Sequence, residues 1–251
     1  MNADTLDIVN FRDIGGKTGE AGTLKPGIFY RSAQLDRLDQ TQIKALQQDK
    51  HIQHIYDFRS DAEIAANPDV TIPGAEYQHI DILGAGSGVP SFDMMLKNAK
   101  NSFNFMMETY SDLVLDSEAQ ARYHEFFMAI LNDDTPLIFH CFAGKDRTGF
   151  AAAVILKMAG IDHQQIMDDY LRTNEMRKQA NQETMEAIKS HLNVAEQDLA
   201  GLQTLLEVDA RYLEHAVAVM RTKFGSFDNY LTQGLHLPED YVQHFQRRFV
   251  V

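Results

Sequence analysis

The single cysteine of the chain, Cys141, stands five residues before an arginine in the run His140-Cys141-Phe142-Ala143-Gly144-Lys145-Asp146-Arg147-Thr148. A loop of this length, curled round a tetrahedral dianion, sets the sulfur beneath it and lets the guanidinium of Arg147 fork onto two equatorial oxygens. The amides of Phe142, Ala143, Gly144, Lys145 and the residues up to Arg147 supply the remaining donors. A thiol facing an arginine and a helix N-terminus ionises well below a free cysteine, and the hydroxyl of Thr148 can steady the thiolate. The chemistry such a set performs is in-line displacement at phosphorus through a phosphocysteine that water then hydrolyses, with no metal or cofactor called for.

The elements that must position this loop flank it directly. Leu137-Ile138-Phe139 reads as a buried strand of a parallel sheet, and the alanine-rich run from Phe150 to Ala159 as a buried helix ended by Gly160. A strand feeding a helix through a tight loop aims backbone N–H groups and a helix N-terminus at one point, which is an anion site. Taken singly, a cysteine after a strand is usually an inert small hydrophobe and a Gly-Lys pair a solvated turn. The combined spacing is what outweighs those readings. A nucleotide-binding Walker loop does not fit, because the lysine precedes an aspartate and an arginine rather than Ser or Thr.

The segment HCFAGKDRTG matches H-C-x5-R-[ST] and resembles the phosphate loop of the cysteine-dependent protein tyrosine phosphatases, in the GKDRTG form of an atypical bacterial branch. Similar stretches are Asn10 to Gly16, Tyr30 to Leu35, Tyr56 to Ser60, Ile166 to Asn174 and Gly225 to Leu231, so the resemblance spans nearly the whole chain. It implies a tyrosine phosphatase-like α/β fold, a central mostly parallel sheet flanked by helices, with extra C-terminal helices. The implied activity is that of a metal-independent protein tyrosine phosphatase whose range can extend to phosphoserine, phosphothreonine or phosphoinositides. A helical lid at about residues 175–206 is implied as well, within a single phosphatase domain over residues 1–251.

A leaving oxygen needs a proton, and two aspartates compete to give it. Asp146, inside the loop, resembles the aspartate assigned as general acid in the atypical branch and is preferred. Asp81, at the end of a predicted strand and before a glycine-rich segment, lies on the type of loop that carries the acid in conventional members. The chain contains no tryptophan, so the conventional Trp-Pro-Asp loop is missing. The catalytic set is thus Cys141, Asp146 and Arg147, with His140, Asp81 and Arg59 in support. His140 orients the loop by hydrogen bonding, and Arg59, like Arg31, falls at a strand end where it joins the positive pocket, scaffolds it or simply faces solvent. Lys145 is expected near the mouth, where its charge suits a multiply phosphorylated head group as well as phosphotyrosine.

The composition limits the alternatives. With 251 residues and 44% hydrophobic content the chain can bury a substantial core. A formal net charge of −13, from 36 acidic and 23 basic residues, argues against nucleic acid or an anionic membrane surface as partner. One cysteine rules out an internal disulfide, and the scattered histidines suggest no metal cluster. The first residues lack a signal peptide's basic and apolar regions and no apolar run is long enough to span a membrane, so a cytoplasmic location is expected, with export by a non-classical route open to such enzymes.

Along the chain, Val9 to Gly22 reads as turns, Gly27 to Ser32 as a strand, Asp39 to Asp49 as a helix capped by Asp39, and Ile52 to Phe58 as a second strand. Glu76 to Leu83 reads as another strand and Gly84 to Pro90 as a flexible loop. Helical patterns follow at about Phe92 to Tyr110, Glu118 to Leu131, Asp162 to Asn174, 175–206 and two or three more beyond Asp209. Two other classes remain open: a non-catalytic phospholigand-binding module that keeps the cradle, and an enzyme of sulfur or arsenate chemistry using the same thiolate. The intact Cys141, Asp146 and Arg147 argue against the first, and the lack of a second thiol against the other.

Overall fold

The computed structural model describes residues 6–84, 101–191 and 196–251. Five strands form one sheet in the order β1 (Arg12–Asp13), β4 (Phe29–Ser32), β7 (Leu137–His140), β5 (His54–Asp57) and β6 (Glu76–His79). The last four are mutually parallel and β1 runs antiparallel to β4 at the edge. A two-stranded ribbon, β2 (Thr18–Gly19) and β3 (Gly22–Thr23), lies outside it. The segment from Val9 to Gly22 therefore holds an edge strand and a ribbon where turns were expected. Each of these strands is only two residues long, too short to leave a periodic signal.

Strand alternation divides the core. Leu137, Phe139, Phe29 and Tyr56 point into a large cluster beneath the helices, whereas Ile138, Tyr30 and Ile55 point into a smaller cluster on the opposite face. The large cluster is closed by α3 (Ser102–Leu115), α4 (Ser117–Asn132), α5 (Arg147–Met158), α6 (His163–Met176), α9 (Ala210–Phe224) and α10 (Tyr241–Phe249). The other face is covered by α1 (Gln40–Gln48), which begins with Asp39 and Gln42 in a capping box. A third, small cluster of Ile188 and Leu202 joins α7 (Lys178–His191) to α8 (Glu196–Leu206), the helix pair anticipated from its sparse apolar stripe.

The helix expected from Phe92 is described from Ser102 onward, and residues 92–100, like the glycine-rich stretch 85–90, lie outside the described residues. β6 ends at His79 rather than Leu83, so Asp81 sits beyond the sheet. All four parallel strands run toward the loop that follows β7, the end of an open α/β sheet where ligands bind.

Candidate active site

The loop from Cys141 to Asp146 leaves β7 and enters α5, whose first residue is Arg147. Three successive loop carbonyls are held from outside. Phe142 O accepts the Gln34 N–H at 3.1 Å, Ala143 O accepts Arg177 Nη1 at 2.9 Å, and Gly144 O accepts Arg31 Nη2 and Asn10 Nδ2, each at 2.8 Å. In a trans peptide the N–H points opposite to its carbonyl, so these bonds turn the amides of Ala143, Gly144 and Lys145 to the other side of the loop. Gly144 makes the turn with φ +65°, and a Cβ there would lie 2.1 Å from Ser32 O. A side chain at this position would both strain the backbone and push the loop off β4.

Arg147 is 1% exposed and clamped. Its Nη1 and Nη2 each donate to a carboxylate oxygen of Glu63 at 2.8 Å, and Nη1 also donates to Phe58 O at 3.1 Å. Burial alone would lower its pKa, but the negative charges of Cys141, Glu63 and Asp146 and the hydrogen bonds to Glu63 outweigh it and raise that pKa instead. Its buried Nε has no hydrogen-bond partner in the protein, which leaves that N–H and the second hydrogen of Nη2 as the donors of the fork for an anion. Glu63 was not anticipated as a site residue. The signal was present in Ser60-x-x-Glu63, a capping box that starts α2 (Asp61–Ala66), but such boxes normally mark helix ends alone.

Behind the loop lies a buried ionic network. His140 Nε2 is 3.0 Å from Asp69 Oδ2 and its Nδ1 lies 3.8 Å from Asp57 Oδ1 and 3.3 Å from Cys141 O. Burial resists charging of His140, but Asp57 and Asp69 outweigh it and raise its pKa. Arg59, fully buried, bridges the same two aspartates: Nε donates to Asp57 at 2.9 Å and Nη2 reaches Asp57 at 2.7 Å and Asp69 at 2.9 Å. Arg59 is thus a scaffold for the loop rather than a group of the positive pocket or a surface arginine. Asp57, Asp69 and His140 bring three metal-ligand atoms within 4.8 Å, yet the guanidinium of Arg59 already supplies the cation there.

Arg31 is likewise a scaffold. It is fully buried, and with Arg12 it grips Asp169 of α6, at 2.9 and 3.0 Å, while reaching the loop at Gly144. Asp169 had no role in the sequence reading. Burial works against its ionisation, but the attraction of Arg12, Arg31 and Lys17 exceeds that desolvation cost and holds its carboxyl far below the usual range.

The two acid candidates occupy different settings. Asp146, 7% exposed, accepts a hydrogen bond from the buried Tyr110 hydroxyl at 3.0 Å, and Tyr110 Oη is 2.6 Å from Tyr170 Oη. Asp81 is half-buried and accepts the Gly84 N–H at 3.1 Å. Burial pushes its pKa up, against the amides of Gly84 and Leu83 and the charge of Arg147.

Two expectations are corrected by the geometry. Lys145 is not at the mouth: the residue is 6% exposed and its ammonium donates to Leu205 O at 2.6 Å and Glu207 O at 3.3 Å, with Asp146 Oδ2 also 3.3 Å away. The unpaired carbonyls at the C-terminus of α8 attract the cation away from the loop's opening. The hydroxyl of Thr148 is buried without a hydrogen-bond partner in the protein, so it makes no hydrogen bond to the Cys141 sulfur.

Residues 4–251 match the model described as the tyrosine phosphatase family. A Cupriavidus necator protein provisionally named a tyrosine-protein phosphatase is 32% identical over 239 residues, covering 92% of this chain and 82% of its own. The triple specificity protein phosphatase PtpB of Mycobacterium tuberculosis is 29% identical over 252 residues, covering 88% of this chain and 90% of its own. With a family match across almost its full length and a relative of this similarity, the chain belongs to the tyrosine phosphatase family.

Proposed function

We propose that this protein-tyrosine phosphatase uses Cys141 as nucleophile, Arg147 and the loop amides as stabilisers of the equatorial oxygens, and Asp146 as general acid. The observation that carries this reading is the loop itself, a buried cysteine ringed by amides whose carbonyls are tied outward, beside an arginine clamped by Glu63 with Nε unpaired. The thiolate attacks phosphorus, forming S–P as the P–O bond breaks, and the carboxylic acid protonates the leaving oxygen. Water then attacks the phosphocysteine, the acid's conjugate base takes its proton, and inorganic phosphate leaves as the thiolate is restored. Donors fixed before substrate arrives cost no reorganisation during reaction, the condition for a large electrostatic contribution.

A second assignment of the acid, to Asp81, is favoured by one observation. Its pKa is raised by burial, which keeps a larger fraction protonated at working pH. On substrate range, the mycobacterial relative is named a triple specificity phosphatase, which favours activity on phosphoserine, phosphothreonine or phosphoinositides beside phosphotyrosine here. The chain is read as one phosphatase domain in which α7 and α8 cover the loop, fastened through Lys145 to Leu205 O and Arg177 to Ala143 O. No helix among the described residues is long and apolar enough to cross a membrane.

The test is phosphate release from a phosphotyrosine peptide, a phosphoserine peptide and a phosphoinositide panel in the presence of chelator, for the native chain and Cys141→Ser. Turnover that survives chelator and vanishes in Cys141→Ser supports the reading, and the ranking of substrates defines the range. Binding of phosphate esters by the native chain without turnover replaces it with a phospholigand-binding module.

A further inference from the structure

Arg177 lies outside every motif of the sequence, yet it caps the end of α6 and is folded onto the catalytic loop. It is 6% exposed, its Nη1 donates to Ala143 O at 2.9 Å, and its buried Nε has no hydrogen-bond partner in the protein. The residue also lines a cavity of about 400 Å³ together with Gln34, Phe142, Thr184 and the carboxylates Asp7, Asp36 and Glu183, none of which is within ion-pair distance of it.

The contrast with Arg31 is informative. Both guanidiniums hold consecutive loop carbonyls, Arg177 that of Ala143 and Arg31 that of Gly144, but Arg31 is neutralised by Asp169 at 2.9 Å. Among the described residues no carboxylate lies within ion-pair distance of Arg177. The negative charges that act on it are those of Cys141 and Asp146. A buried cation without its own counter-ion is expensive unless the site it faces carries negative charge.

We propose that Arg177 is a positioning residue of the catalytic centre: it fixes the Ala143–Gly144 peptide so that the Gly144 N–H faces the phosphate, and its unneutralised charge favours the Cys141 thiolate and the bound dianion. The role rests on Cys141 being the nucleophile. The bond to Ala143 O gives the geometric part and the missing carboxylate partner gives the electrostatic part. Burial lowers the pKa of Arg177, and the charges of Cys141 and Asp146 counter that shift, as mutual stabilisation requires.

The experiment compares the native chain with Arg177→Gln, which keeps a donor near Ala143 without charge, and Arg177→Lys, which keeps charge without the fork. Three readouts are taken: kcat and KM on p-nitrophenyl phosphate, the rate of Cys141 alkylation by iodoacetamide at pH 6, and the melting temperature. Arg177→Gln is expected to lower kcat/KM by about tenfold or more and to slow alkylation by about fivefold or more, with Arg177→Lys recovering a good part of both. Native rates of turnover and alkylation in Arg177→Gln would overturn the proposal. So would losses that follow the fall in melting temperature with lysine no better than glutamine, since that marks a purely structural residue. A native chain that turns over phosphate esters equally well as Cys141→Ser defeats the nucleophile assignment instead, and is told apart by that variant alone.

Discussion

Glu63 holds both terminal nitrogens of Arg147 at 2.8 Å while its Oε2 also accepts the Ser60 amide at 2.8 Å. One carboxylate thereby ties the start of α2 to the start of α5. The surrounding charges hold it ionised: burial alone would raise its pKa, and the hydrogen bonds and charge of Arg147 and the contacts to Ser60 bring it below the usual carboxylate value. Rotation of the Arg147 fork is prevented before any phosphate binds.

Replacing that anchor tests how much catalysis depends on preorganisation. Glu63→Gln should lower kcat/KM by about 100-fold, the effect expected of a misplaced catalytic group. Steady-state kinetics with melting curves on the same samples check it, and an unchanged kcat/KM would show that Phe58 O alone suffices to hold Arg147.

The pH dependence of stability follows from the network behind the loop. His140 has its pKa raised above the ordinary 6.5, so its charged form contributes stability that is full below that value and lost as pH rises through the folded pKa. Asp57 behaves oppositely. Burial works against its ionisation, but His140 and Arg59 prevail and bring it from 3.8 down to about 2, so its contribution is full above 3.8 and fades as pH falls toward 2. Urea denaturation between pH 3 and 9 should show a midpoint that declines on the alkaline side. In His140→Gln that decline should flatten; an equally steep decline would assign it to other groups.

The acid is assigned by leaving-group dependence. An acid-deficient variant should lose about 100-fold or more in kcat on phenyl phosphate but far less on p-nitrophenyl phosphate, because nitrophenolate departs without a proton. Asp146→Asn is expected to show that split and Asp81→Asn is not. The reverse pattern would pass the role to Asp81. Tyr110→Phe, which removes the donor to Asp146, should lower kcat on phenyl phosphate by several-fold and destabilise the fold by about 1–3 kcal/mol through the stranded Tyr170 hydroxyl.

Lys145 is predicted to fasten the end of α8 to the loop. Lys145→Met removes a charged donor from Leu205 O and Glu207 O, and loss of such a bond, about 1.5–3 kcal/mol, should speed amide exchange in residues Leu199 to Val208 by at least about tenfold. Hydrogen exchange with mass detection reads this directly. Unchanged protection would mean that apolar contacts such as those of Leu202 and Leu205 hold the helix without it.

What the sequence by itself determined is local. The spacing of Cys141 and Arg147, the strand before them, the helix after them, the cap at Asp39 and the order of most later elements follow from chemistry and periodicity within short windows. Only the tertiary structure decided where the charges go. It drew Lys145 to the carbonyls of α8, buried Arg59 between Asp57 and Asp69, paired Arg12 and Arg31 with Asp169, and brought Glu63 to Arg147 and Arg177 to Ala143. Charged side chains carry no period that marks their partners, and the cost of burying one is met by whichever opposite charge or carbonyl the fold brings within about 3 Å. Those partners come from distant parts of the chain, so Cys141 could be singled out as the candidate nucleophile from its neighbours, while the side chains that hold its loop in place could not be read that way.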